Sequence, residues 1–232
     1  MHTIKEENNQ VYCMDYDKSW TFLATAGKDF LVRVYDEETK KLLQTLKGDA
    51  DLHHGHSNRV FAWKFHPTET CMLYTGGWDN SILAWDIRKE SPAYHFLGPN
   101  ISGESLDVYE NKVIAGSFNN DKNLMIFDIR NTKSGYAINW FDSDEKSEED
   151  STPSCLYSAT FTKPKAKYIL AGGASKNEVR MFRNSICYDE IKSVSKISNM
   201  KTACLSLDWS NSGDLIAVGW ADGTVMILRI ND

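Results

Sequence analysis

Residues 55–88 concentrate side chains that could perform acid–base chemistry. Within them His56, Thr75 and Asp79 supply an imidazole, a hydroxyl and a carboxylate, the three groups that nucleophilic hydrolases combine. The run DADLHHGH at 49–56 adds histidines and aspartates, which are residue types that bind zinc. The sequence therefore offers one candidate catalytic set and one candidate metal cluster, and the surrounding elements decide whether either role holds.

The segment that carries these residues recurs along the chain in weakened copies. Each copy ends in a short β-like run that closes on an aromatic or large apolar residue, often followed by Asp. These endings recur at intervals of 42 to 55 residues, at Tyr35-Asp36, Trp85-Asp86, Phe127-Asp128, Phe182-Arg183 and Leu228-Arg229. Residues 47–54 and 142–153 lengthen two of the connections. Such a recurrence indicates a repeat architecture.

Each copy divides into short strands bounded by turn-forming residues. The second copy predicts four strands, at Arg59–Phe65, Met72–Gly77, Ser81–Ile87 and Ala93–Leu97. The last copy stops at its third strand, Val225–Ile230, so its fourth strand must come from elsewhere. His2–Lys5 is one candidate source, because propellers commonly close with an N-terminal strand that removes the free sheet edges.

The Gly55-His56 start, the Trp85-Asp86 end and the repeat length make the chain resemble a WD40-repeat protein over nearly all of its length. The resemblance implies an all-β WD40 β-propeller, a single domain over 1–232. Its five four-stranded blade repeats are expected at about 9–47, 55–98, 100–141, 153–195 and 200–232. Residues 1–8 are then the outer strand from closure or from a preceding blade. Five blades closing alone and five blades of a seven-bladed propeller both remain open.

The resemblance also implies a structural tetrad of buried, hydrogen-bonded side chains in the second blade, formed by His56, Thr75, Asp79 and Trp85. Asp79 would accept from the imidazole, and Thr75 would link the imidazole to the indole N–H, so that every buried polar group has a partner. In the first blade we expect Glu7 at the histidine position. The other copies keep the strand pattern but lose the His. We therefore interpret His56, Thr75 and Asp79 as structural residues and predict that the chain is not an enzyme.

Composition narrows the classes of partner. The net charge of -6 disfavours a nucleic-acid surface, and no run approaches the roughly 18 apolar residues of a membrane span. Five scattered cysteines without a CxxC pair fit reduced thiols in an intracellular protein. We therefore expect a cytoplasmic protein, with a nuclear or cytoskeletal location left open, and neither a cofactor nor a metal. The acidic run 142–150 is interpreted as a solvated loop, with docking of a basic partner as the alternative.

One narrow face of the propeller is the predicted partner-binding site. Large aromatic residues in turns that do not need them, together with Arg, are typical interface anchors. The turns supply Trp78, Phe118 and Trp220, and Asn58 and Arg59 follow His56 on the same side. The alternative is that Trp78 and Trp220 pack over neighbouring blades. The sequence thus predicts a scaffold or adaptor for proteins or peptides, within a multiprotein complex.

Two other functions remain open at this stage. Arg88 and Arg130 close WDxR-like endings in consecutive blades. Such endings resemble the adaptor-docking sequences of WD40 substrate receptors in cullin-RING ubiquitin ligases. The second alternative is a structural subunit of a large cytoskeletal or ciliary assembly, which no feature of the sequence separates from an adaptor.

Overall fold

The computed structural model describes residues 2–49, 53–119, 121–141 and 154–230. The predicted acidic run 142–150 lies outside these residues. The first blade is a four-stranded antiparallel meander of β1 Val11–Tyr16, β2 Phe22–Gly27, β3 Val32–Asp36 and β4 Leu42–Leu46. A short hairpin, β5 Gly48–Asp49 and β6 His53–His54, connects it to the second blade.

The second, third and fourth blades repeat the same strand order. The second contains β7 Val60–Phe65, β8 Met72–Gly77, β9 Ser81–Asp86 and β10 Pro92–Leu97. The third contains β11 Leu106–Tyr109, β12 Lys112–Gly116, β13 Leu124–Asp128 and β14 Asn131–Ala137. The fourth contains β15 Cys155–Phe161, β16 Tyr168–Ala174, β17 Val179–Arg183 and β18 Ser193–Ile197, with a 3-10 helix at Tyr188–Glu190 before its last strand. The prediction of an all-β propeller with repeated blades is confirmed.

The fifth sheet has three strands, β19 Cys204–Trp209, β20 Leu215–Trp220 and β21 Val225–Arg229. Of the two alternatives for the N-terminal residues, closure of this sheet by His2–Lys5 is not found, because these residues form no strand and the chain that follows them enters the first blade. The first strands of consecutive blades pack side by side, and within the described ranges the fifth blade packs on the fourth without comparable packing on the first. The ring of blades is therefore open.

The hydrophobic core lies between the blades and not within them. Each of four clusters of buried side chains draws on two consecutive blades. Between the first two blades, for example, Val34 packs in the same cluster as Leu73 and Trp85. At roughly 25 cal/mol per Å² of apolar surface removed from water, this inter-blade packing is the main source of stability. Within the described ranges, none of the helical segments could span a bilayer.

Candidate functional site

The four tetrad side chains of the second blade form one continuous hydrogen-bonded chain. The Nδ1 atom of His56 lies 2.7 Å from Asp79 Oδ2, and its Nε2 atom lies 2.7 Å from Thr75 Oγ1. The indole Nε1 of Trp85 donates to the same Thr75 oxygen at 2.7 Å. Because a carboxylate only accepts, Nδ1 of His56 carries the proton and Nε2 accepts from the Thr75 hydroxyl. Every polar atom of the set is thus used inside the blade.

The carboxylate of Asp79 is held in its charged form. Burial pushes its pKa upward, but the hydrogen bonds from His56, Ser81 and the Ser57 N–H outweigh this and leave the pKa of Asp79 below its usual value. Thr75, the hydroxyl of the trio, is fully buried. A hydroxyl that no substrate can reach serves the framework and cannot act as a nucleophile.

The first blade also has a hydrogen-bonded network of polar side chains at this position, but it is formed by different residues. Glu6, and not the expected Glu7, occupies the histidine position: its Oε1 atom accepts from the hydroxyls of Thr25 and Tyr35. Its other oxygen accepts from Arg33 at 3.0 Å, and Arg33 also donates to Asp29 at 2.6 Å. Glu7 is exposed. The expected residue is one position away from the observed one, because this segment has no periodicity that would fix its alignment with the second blade.

The upper face, defined here as the side with the turns between second and third strands, carries a row of stacked aromatic side chains. We call Tyr12, Phe61 and Trp78 the aromatic row. Tyr12 stacks on Phe61 at 4.8 Å with a 2° interplanar angle, and Phe61 meets Trp78 at 4.9 Å. The guanidinium of Arg59 lies over the Trp78 ring at 5.3 Å from its centroid. The row crosses from the first blade into the second.

Trp78 is at once exposed and held in place. Its side chain is 39% exposed, and its indole N–H donates to the Ser102 hydroxyl at 2.7 Å. Its backbone is fixed from both sides, because its N–H donates to Arg59 O and its carbonyl accepts from the Asn100 side chain. Asn58 lies beside it with its side-chain oxygen accepting the Arg59 N–H at 2.8 Å.

The other two predicted anchors, Phe118 and Trp220, differ in their exposure. Phe118, half-buried, meets Tyr157 edge-on at 4.7 Å at the position in the third blade that Trp78 holds in the second. Trp220 is only 3% exposed, so the expectation that it is displayed in a turn is wrong. It ends strand β20 and corresponds to Gly77, because Val218 occupies the Thr75 position in the strand register. Its ring therefore belongs to the core between the fourth and fifth blades.

Sequence reasoning missed Phe61 and Tyr12. Both lie near the upper ends of the innermost strands β7 and β1. Phe61 lies at a register shift between Val60 and Ala62 that interrupts the alternation of β7. Contact between strands of different blades also has no local sequence pattern.

Arg88 and Arg130 lie on the lower face, in the turns after third strands, and have the same geometry. Arg88 donates from Nε and Nη2 to the two oxygens of Asp86, both at 2.7 Å. Arg130 binds Asp128 in the same bidentate way at 2.9 and 2.7 Å. Both arginine side chains are about 70% exposed. Each guanidinium is thus oriented by its own blade while remaining accessible.

The innermost strands line a cavity of about 420 Å³ on the inner side of the open ring. Its charged lining includes Lys64, 4.0 Å from Asp107, and Lys163, 3.4 Å from Asp208. Burial, reinforced by Glu104, raises the pKa of the Cys13 thiol that lines it, so this thiol stays protonated. Among the described side chains no group of His, Cys, Asp and Glu could hold a metal ion, and of the 49–56 run only His54 and His56 have described imidazoles.

Comparison with known proteins agrees with this fold. A sequence model described as "WD domain, G-beta repeat" matches residues 1–36 and 40–86, and one described as "Anaphase-promoting complex subunit 4 WD40 domain" matches 165–232. The nuclear distribution protein PAC1 of Komagataella phaffii is 29% identical over 54% of this chain and 25% of its own length. The small ribosomal subunit protein RACK1y of Oryza sativa subsp. japonica is 20% identical over 81% of this chain and 52% of its own. The chain thus spans about half or less of these relatives.

Two solved structures share the architecture. The Cps50 (Swd1) β-propeller domain of Myceliophteria thermophila superposes with a TM-score of 0.80 at 17% identity, over 100% of this chain and 68% of that domain. A chain of the mitotic checkpoint complex superposes with a TM-score of 0.65, also at 17% identity, over 98% of this chain and 77% of its own. At such identities the likeness concerns the fold alone. With two WD40 sequence models matching more than half of its residues, and with this fold, the chain belongs to the WD40-repeat β-propeller family.

Proposed function

We propose that the protein is a non-enzymatic interaction scaffold that binds a protein or peptide partner across the aromatic row and Arg59. The observation that carries the proposal is Trp78, a large aromatic side chain that is 39% exposed yet fixed by Phe61, Ser102 and Arg59. The family supports the coarser part, since WD40 propellers are typically protein-interaction scaffolds without catalytic activity.

The geometry favours binding because the anchor is already ordered before a partner arrives. An exposed side chain that must be immobilised on binding costs roughly 0.5 to 1.5 kcal/mol. Trp78 avoids most of that cost, because its ring and backbone are both held in the free protein. Trp, Tyr and Arg are also the residues that dominate the energetics of protein interfaces. Phe118 and Tyr157 extend the same face into the next blades.

The five cysteines support an intracellular setting for this scaffold. All of them are free thiols in the structure. Free thiols persist in the reducing cytosol and nucleus, whereas secreted proteins of this kind more often carry disulfides. We therefore propose a cytoplasmic or nuclear complex as the working location.

The test compares the proteins retained by immobilised wild type, Trp78→Ala and Arg59→Ala, followed by measurement of the affinity for each retained partner. We expect Trp78→Ala to weaken binding about 30-fold, the equivalent of the ~2 kcal/mol of an interface anchor. Trp20→Ala is the matched control, because Trp20 is 69% exposed in the lower-face turn between β1 and β2. Equal affinity of wild type and a folded Trp78→Ala variant would refute the proposed site.

A second candidate function is docking to a ubiquitin-ligase adaptor through the lower face. One observation favours it: Arg88 and Arg130 present two equally oriented, exposed guanidinium groups in consecutive blades. The double variant Arg88→Ala/Arg130→Ala should lose binding to a purified adaptor at unchanged thermal stability. Retained binding would reject adaptor docking and leave the scaffold as the one proposed function. The alternative of a structural assembly subunit has no separate observation in its favour.

A further inference from the structure

The innermost strands of four blades share an irregularity at their upper ends. In β1, β7, β15 and β19 the pairing with the second strand shifts, so that one residue of each innermost strand stands outside the ladder. Such a bulge re-aims the side chain that it carries. The residues concerned are Tyr12, Phe61, Tyr157 and Leu205. The bulge thus places a large apolar side chain at the inner edge of the upper face.

The third blade has Glu104 at the same position. Gly116 opens the pairing of the second and third strands in this blade, as Gly76 does in the second blade. The Gly116 N–H donates to Ser105 O at 2.8 Å, whereas Gly76 pairs with Ala62. Ser105 therefore corresponds to Ala62, and the residue before it corresponds to the bulged residue of the second blade. A carboxylate replaces an apolar side chain at this one point.

Glu104 lies among the aromatic side chains of the upper face. Its carbonyl accepts at 3.4 Å from the N–H of the second residue after Tyr157. Two residues before it, the Ser102 hydroxyl accepts the indole N–H of Trp78 at 2.7 Å. Phe61 lines the same inner cavity as Glu104. The carboxylate therefore sits between the aromatic row and Tyr157.

The charge of Glu104 is not neutralised inside the protein. Among the described residues its carboxylate has neither a hydrogen bond nor an ion pair, and the residue is exposed. The two lysines that line the same cavity have carboxylates of their own, in Asp107 and Asp208. The lining holds four carboxylates against these two lysines, so it carries an excess of negative charge. Burial, and after it Glu104, raises the pKa of the Cys13 thiol, so the field of this carboxylate reaches the first blade.

We propose that Glu104 binds a cationic side chain, Lys or Arg, of the peptide that the upper face recognises. The inference rests on the proposed upper-face site and adds the charge of its partner. Aromatic neighbours reduce the water around a carboxylate and so strengthen its attraction to a cation, and aromatic rings attract cations themselves. Arg59 lies over the Trp78 ring and, within the described structure, forms no ion pair with Glu104.

The test uses four pools of nine-residue peptides with degenerate flanks and a central residue fixed as Arg, Lys, Gln or Glu. Immobilised wild type should retain the Arg and Lys pools about fivefold more than the Gln pool, the factor that a solvent-screened ion pair can supply. Glu104→Gln should abolish this preference, and Glu104→Lys should reverse it in favour of the Glu pool. Glu38→Lys is the matched control, because it makes the same change of charge at an exposed residue in the lower-face turn between β3 and β4.

Three results would overturn the inference. One is equal retention of the four pools by wild type, and another is an unchanged order of retention in folded Glu104→Lys. The third is loss of the preference in Glu38→Lys as well, because net charge alone would then explain it. Trp78→Ala should weaken retention of all pools without changing their order, since its contact area does not depend on the central charge. Unchanged retention by Trp78→Ala would instead refute the upper-face site, so the two failures are distinguishable.

Discussion

In the second blade one imidazole both donates and accepts, whereas in the first blade a carboxylate that can only accept occupies the same position. His56 needs one acceptor and one donor, which Asp79 and Thr75 provide. Glu6 needs several donors and receives them from Thr25, Tyr35 and Arg33. The same location in the blade is therefore compatible with two sets of buried polar groups, provided that each set is complete.

The difference also concerns charge. The second blade has Leu83 at the position where the first blade has Arg33, because each pairs with the threonine of its own network. Glu6 and Asp29 together would place two negative charges in a largely buried site. Arg33 lies between them and neutralises one of the two. The first blade thus depends on an ion-pair network around Arg33, and the second on a chain of hydrogen bonds that ends at the Asp79 carboxylate.

Arg33→Ala is expected to have the largest effect of the substitutions that separate the two blades. It leaves Glu6 and Asp29 without their cation, and removal of one partner of a buried ion pair costs about 3 to 5 kcal/mol. Urea unfolding followed by tryptophan fluorescence measures this loss. The double variant Glu6→Gln/Arg33→Leu removes both charges and should recover most of it. A loss below ~1 kcal/mol for Arg33→Ala would show that the network contributes little.

Thr75→Val is expected to cost somewhat less, about 2 to 3 kcal/mol. The substitution keeps the shape of the side chain but leaves the Nε2 atom of His56 and the Nε1 atom of Trp85 without their shared partner. Thr75→Ser retains the hydroxyl and serves as the control in the same urea titration. Equal stabilities for the Val and Ser variants would contradict the role assigned to the hydroxyl.

The smallest expected effects lie at opposite ends of the pH scale. Burial, together with Glu6, raises the pKa of Tyr35 to about 12. The stability that it contributes is complete below its ordinary value near 10 and is lost as the pH rises through about 12. Asp79 has a lowered pKa, so its contribution is present above its ordinary value of 3.8 and is lost as the pH falls through its folded value.

Thermal unfolding across the pH range tests both slopes. Tyr35→Phe should reduce the pH dependence of the unfolding temperature at alkaline pH alone, and Asp79→Asn should reduce it at acidic pH alone. If either variant changes the pH dependence at the other end of the pH range, the two networks do not titrate independently.

The sequence predicts the blades well because their patterns are local. The second blade's strands were expected at Arg59–Phe65, Met72–Gly77, Ser81–Ile87 and Ala93–Leu97, and the observed strands differ from these by at most one residue at an end. Alternation and turn residues suffice for such assignments. Trp220 was misplaced because its alignment followed the aromatic residue type, whereas the strand register places it at the Gly77 position.

The polar network of the first blade and the aromatic row are less accessible to sequence reasoning. Glu6 precedes the first strand in a segment with no periodicity, and a strand residue such as Arg33 is ordinarily assumed to be solvated. Tyr12 and Phe61 meet only because consecutive blades place their innermost strands side by side. These contacts depend on the arrangement of blades and are fixed only by the complete fold.

The location of the core between blades has a consequence for how the molecule opens. In a row of units joined by shared interfaces, each unit is stabilised by its neighbours, and the end units have one neighbour instead of two. The first and fifth blades are the ends of this open row. Their amides should exchange with deuterated solvent sooner than those of the third blade, giving a gradient of protection that rises toward the middle of the chain.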